Sequence, residues 1–192
     1  MVSAWLRTGV VSVPKAKTMI RSAAEFIGIA LLALASPATA PPAPQEVLLP
    51  MTSMQLHDPW IVADEASRTY FLFTRNEAPM SGDKRLGIMA YSSRDLKNWT
   101  RPKVVFALPE GTWMQDGAWA PEVHRWKGKY YLFATFHNAT QTLPAQGTPR
   151  PYRRSTILAV ADRPDGPYRL VRGGEPVVSR EQMTLDGTLY VD

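Results

Sequence analysis

The chain has 192 residues, 45% hydrophobic and 20% charged, enough for a globular core. Its net charge of +5 is weighted to the start: Arg7, Lys15, Lys17 and Arg21 face only Glu25 in residues 1–40, leaving 18 basic and 16 acidic residues beyond. No basic stripe remains to grip nucleic-acid phosphates, and the absence of cysteine excludes disulfides, thiolate nucleophiles and cysteine metal sites.

Residues 26–35, FIGIALLALA, follow Lys15, Lys17 and Arg21 and precede SPATAPPAPQ, where Ala38-Thr39-Ala40 has the small-x-small form of a signal-peptidase site. That order predicts an export signal over residues 1–40 and a secreted or periplasmic protein. Pro41 after Ala40 is a poor cleavage position, so Ser36-Pro37-Ala38 is an alternative, and Met19 is an alternative start. The apolar run is shorter than the roughly 20 residues that span a bilayer, so no stable membrane anchor is expected. Residues 41–50 read as a linker stiffened by proline.

From residue 51 the pattern is β throughout, with no sustained helical period. Asp58 opens a short apolar run to Asp64, a polar turn follows, and residues 69–74 (TYFLFT) form the next strand. A third strand is expected over residues 86–93 (LGIMAYSS), then a turn ending at Trp99 and an apolar run at 104–108. The order then repeats. Glu122 opens VHRW, Gly128 turns the chain, residues 130–135 (YYLFAT) and 155–162 (STILAVAD) follow, and a turn ends at Tyr168. Apolar residues 176–178 lead to Asp186 and a third opening strand, TLYV, at 188–191.

Asp58, Glu122 and Asp186 are 64 residues apart in each step. A four-stranded unit repeated about every 60 residues is the form of a β-propeller blade, whose first strand lines the central axis. Pro59 and Pro121 then lie beside innermost strands, where a missing donor is tolerated. A single Asp at a strand start is ordinary turn chemistry. Three acids at one position of a repeat predict carboxylates that converge on one pocket.

The stretches HDPWIVAD, WAPEVHRWKGKYYLFAT, DRPDGPYRL and LDGTLYVD, in that order, resemble glycoside hydrolase family 43 over about residues 50–192. WAPE followed by a glycine turn and YYLF is the most specific part. The resemblance implies a five-bladed β-propeller enzyme that cleaves arabinose- and xylose-containing polysaccharides with inversion. It implies Asp58 as the general base that activates water and Asp186 as the acid that tunes and orients the proton donor. Trp119 is a candidate sugar platform, and with Glu122 and His57 it makes up the expected substrate-binding set. The family's proton donor is a glutamate in a later blade, so residues 51–192 are expected to be about two blades and the first strand of a third, inactive alone. Glu122 is not assigned that role. No cofactor or metal is expected: His57, His124 and His137 have no metal-site spacing, and a calcium ion on the axis has no motif here. The expected partner is an oligo- or polysaccharide. A non-catalytic sugar-binding propeller lacking the donor is the alternative reading.

Overall fold

The computed structural model describes residues 47–143, 151–178 and 181–191. The expected export segment 1–40 and linker residues 41–46 lie outside the described residues. The strands are β1 (Leu49–Pro50), β2 (Trp60–Asp64), β3 (Thr69–Arg75), β4 (Gly87–Ser93), β5 (Asn98–Trp99), β6 (Lys103–Ala107), β7 (Asp116–Trp126), β8 (Lys129–Thr142), β9 (Tyr152–Ala161) and β10 (Arg169–Leu170). One α-helix, α1 (Ala78–Ser81), is described, and no described helix is long and apolar enough to cross a membrane.

Two antiparallel sheets result. In the first, β2, β3 and β4 form a meander, and the outer side of β4 is shared by β6 and by β5, which also pairs β1. The second runs β7-β8-β9-β10. This is the all-β, propeller-type architecture that the repeat predicts.

Side-chain alternation explains the packing. Phe71 and Phe73 of β3, Ile88 and Ala90 of β4, and Leu132, Ala134 and Phe136 of β8 bury one face of each strand in a shared core. Leu72, Met89 and Tyr91 point the other way and pack with Trp99. Because both faces of the first sheet are covered, β3 reads as an almost unbroken apolar run.

Specific contacts also join the sheets. Phe106 and Phe136 meet edge to face at 6.0 Å, and the Trp60 indole donates to the Val123 carbonyl at 3.0 Å. The Tyr130 hydroxyl donates to Asp64, whose other oxygen accepts from the Ser67 hydroxyl at 2.6 Å and amide at 2.9 Å. The Ser67 hydroxyl first, then Tyr130, holds the buried Asp64 carboxyl below its ordinary range. Burial, then the hydrogen bond to Asp64, pushes Tyr130 up to about 12.

The linkage follows from these directions. Asp64 stabilises the fold fully above its unfolded value near 3.8, and that contribution is lost as pH falls through its lower folded value. Tyr130 contributes below its ordinary value of 10.0, and its share is lost as pH rises from there to about 12. Tyr130→Phe should therefore cost about 1.5–3 kcal/mol at neutral pH, the scale of a hydrogen bond to a charged group. In urea titrations the gap from the parent should narrow on acidification as Asp64 protonates. A gap independent of pH would contradict this account.

The apolar residues 176–178 lie outside any strand, and β10 is the fourth strand of the second sheet. One expectation changes: residues 188–191 form no strand. A strand needs a partner's ladder, whereas the 184–188 segment is held largely through threonine hydroxyls.

Candidate active site

Asp58, Pro59, Trp60, Ala120, Pro121, Glu122 and Asp186 line a pocket of about 370 Å³. The three acids thus meet, although not at equivalent positions. Asp58 precedes β2, Glu122 lies within β7 opposite Phe133, and Asp186 lies outside any strand. Asp58 and Ala120 each stand before a proline with positive φ, 45° and 41°. The backbone counterpart of Asp58 is therefore Ala120, two residues before Glu122. Two register shifts in β7, between Gly117 and Trp119 and between Trp119 and Glu122, carry the acid to the pocket and accommodate Pro121 on an edge strand. The equal 64-residue steps hide this difference.

Asp186 also has positive φ, 51°. Three pocket-lining residues thus hold a backbone form that costs a residue with a Cβ roughly 1–2 kcal/mol, and Asp tolerates it better than Ala. Such strain persists where surrounding contacts over-determine it.

Those contacts come from threonines: buried Thr74, Thr135 and Thr156 in β3, β8 and β9, and half-buried Thr184. Thr74 Oγ1 accepts from the His57 amide at 2.7 Å and donates to the His57 carbonyl at 2.8 Å, fixing the chain just before Asp58. Thr135 Oγ1 accepts from the Asp186 amide at 3.1 Å, and Thr156 Oγ1 accepts from the Gly187 amide at 3.2 Å. The Thr184 amide donates to the Arg154 carbonyl at 3.1 Å, and the Thr184 hydroxyl accepts from the Thr156 amide at 3.2 Å. Gly187 is required by this approach: a Cβ there would sit 2.7 Å from Thr156 Cγ2 and 3.1 Å from its Cβ.

The side chains differ in freedom. Asp58 is 56% exposed, with His57 Nε2 at 3.4 Å from Oδ2. Glu122 is 21% exposed and meets His124 Nε2 at 3.0 Å. His57 flanks Asp58 without lining the pocket, and Trp119 does not line it either. The Trp119 ring packs on His137 at 4.7 Å and under the Arg154 guanidinium at 5.1 Å. Trp60 does line the pocket, while its ring also packs against the core. Thr74, Thr135, Thr156, His124 and Thr188 were not singled out from sequence. For Thr74 and Thr135 the available signal was a threonine closing each apolar run, FLFT and LFAT, since a buried hydroxyl needs a partner. Among the described residues no group of three or more His, Asp or Glu is gathered to hold a metal ion.

The sequence profile of glycosyl hydrolases family 43 matches residues 48–192. The extracellular endo-alpha-(1->5)-L-arabinanase 1 of Bacillus subtilis (strain 168) is 32% identical over 84 residues, 41% of this chain and 24% of that protein. The crystal structure of endo-arabinase from Bacteroides thetaiotaomicron VPI-5482 superposes with a TM-score of 0.62 at 31% identity, over 77% of this chain and 45% of that one. A thermostable family-43 glycoside hydrolase shares the fold, with a TM-score of 0.53 at 21% identity over 71% of this chain and 38% of its own. The chain spans less than half the length of these relatives. The profile match takes in both sheets and all three pocket acids, and the chain belongs to glycosyl hydrolases family 43.

Proposed function

We propose that the protein serves as an exported glycosidase that hydrolyses O-glycosidic bonds in arabinose- or xylose-containing polysaccharides with inversion, linear α-1,5-arabinan being the first substrate to test. The observation that carries this reading is the meeting of Asp58, Glu122 and Asp186 in one pocket. Support for arabinan comes from the two arabinan-cleaving relatives.

In this mechanism Asp58, 56% exposed against 21% for Glu122, takes a proton from water. The water oxygen attacks the anomeric carbon on the face opposite the leaving group. The glycosidic C–O bond breaks, its electron pair stays on the leaving oxygen, and that oxygen takes a proton from the donor acid. Inversion needs base and donor about 6.5–9.5 Å apart so that water fits between base and sugar. Asp186 orients the donor and tunes its proton affinity, a role that suits an acid fixed by its own backbone. The donor is not assigned to any of the three acids, so the 192-residue chain by itself is expected to lack turnover. Glu122 accepts a sugar hydroxyl. His57 supports Asp58, and Trp119 offers its ring to an extended chain beyond the pocket. The chemistry requires no cofactor.

The test is sugar release by the full-length protein from linear arabinan, xylan and galactan, with the anomer first formed read by NMR. Release of the inverted anomer is expected. A retained anomer, or no release from any of the three, would overturn the proposal. Export rests on the leader's order of charge, apolar run and small residues. The exported protein should begin near Thr39 or Pro41, and intact residues 26–36 on protein recovered from the medium or periplasm would contradict that cleavage.

A further inference from the structure

Building on the sugar-site reading of the pocket, we propose that His124 is a positioning residue: it occupies one oxygen of Glu122, reserves the other for a sugar hydroxyl, and ties both to the segment bearing Asp186. His124 follows Glu122 by two residues in β7 and so shares its face. Its Nε2 lies 3.0 Å from Glu122 Oε2 and 3.3 Å from Thr188 Oγ1. A carboxylate accepts and does not donate, which assigns the hydrogen to Nε2 and makes the Thr188 hydroxyl a second acceptor of the same N–H.

The ring is confined on its other sides. Trp60 packs against it at 5.3 Å and Phe133 at 6.0 Å, and Trp60 is itself fixed by donating to the Val123 carbonyl. An imidazole held this way sets the rotamer of Glu122. With Oε2 engaged, Oε1 has no hydrogen-bond partner among the described residues and remains the acceptor open to a ligand hydroxyl in the pocket. Thr188 follows Asp186 by two residues, so one side chain links the sugar-binding wall in β7 to the segment that places the orienting acid.

A group that acts through Glu122 on substrate binding should move KM more than kcat. His124→Phe preserves the ring packing and removes the donor. In the full-length protein it should raise KM for linear arabino-oligosaccharides roughly tenfold, the scale of one hydrogen bond to a charged group, with kcat changed less than about threefold. His124→Gln, which restores a side-chain N–H, should recover most of that loss. In a second measurement, ¹⁵N spectra of the histidine side chains should show His124 protonated at Nε2, with a resonance that moves in Glu122→Gln. An unchanged KM in His124→Phe, a loss confined to kcat or thermal stability, or no recovery with His124→Gln would overturn the proposal. If the parent shows no turnover on arabinan, xylan or galactan, the function reading fails and the spectra decide the role of His124. An Nε2–H resonance sensitive to Glu122→Gln then supports it, and an Nδ1–H tautomer, or an Nε2–H resonance indifferent to Glu122→Gln, overturns it.

Discussion

Asp58→Asn in the full-length protein should lower turnover about 10²–10⁴-fold, the usual cost of losing a general base, the role proposed for Asp58. The amide keeps the shape of the carboxyl but cannot take a proton from water. Stability should hardly change. Asp58 is 56% exposed, and its recorded side-chain contact is the His57 imidazole at 3.4 Å, a surface pair of the kind worth little. The strained backbone at Asp58 is kept by Thr74 through His57 and does not depend on the carboxylate. The measurement is kcat on the best of the tested polysaccharides beside a melting curve. Full activity in Asp58→Asn would show that another group activates water.

Phe136→Ala should cost about 3–5 kcal/mol, the range for removing a buried aromatic ring from a core. Phe136 is fully buried in β8 and meets Phe106 of the other sheet edge to face at 6.0 Å. Its backbone pairs with Gly117 of β7. A loss on this scale approaches the whole stability of many domains, and urea denaturation reads it directly. A loss below about 1 kcal/mol would mean that the two sheets are not packed through this ring.

The parts legible in the sequence are those with a period. Near-continuous apolar runs rich in aromatic and branched residues in 69–74, 86–93, 130–135 and 155–162 marked the central strands, because a strand covered on both faces buries side chains in both directions. The meeting of Asp58, Glu122 and Asp186 was legible too, although their equal spacing was not register equivalence: bulges in β7 bring Glu122 to the pocket from a different ladder position. What escaped was set by contacts between distant residues. The threonine clamps join positions as far apart as Thr135 and Asp186, and no local pattern records such pairs. Residues 188–191 look like a strand by composition, yet their neighbours Asp186 and Gly187 are held by hydroxyls rather than by a backbone ladder. Trp119 sits beside the acids in sequence, but β-bulges turn it onto His137 and Arg154, away from the pocket lining.

The most direct test of the central claim is a crystal structure of the full-length Asp58→Asn protein with a bound linear arabino-oligosaccharide. The account predicts a sugar ring in the pocket between Asn at position 58, Glu122 and Asp186, with one sugar hydroxyl on Glu122 Oε1 and an ordered water on the position-58 side chain. A sugar bound elsewhere with this pocket left to solvent, or a ring whose anomeric carbon faces away from position 58, would contradict it.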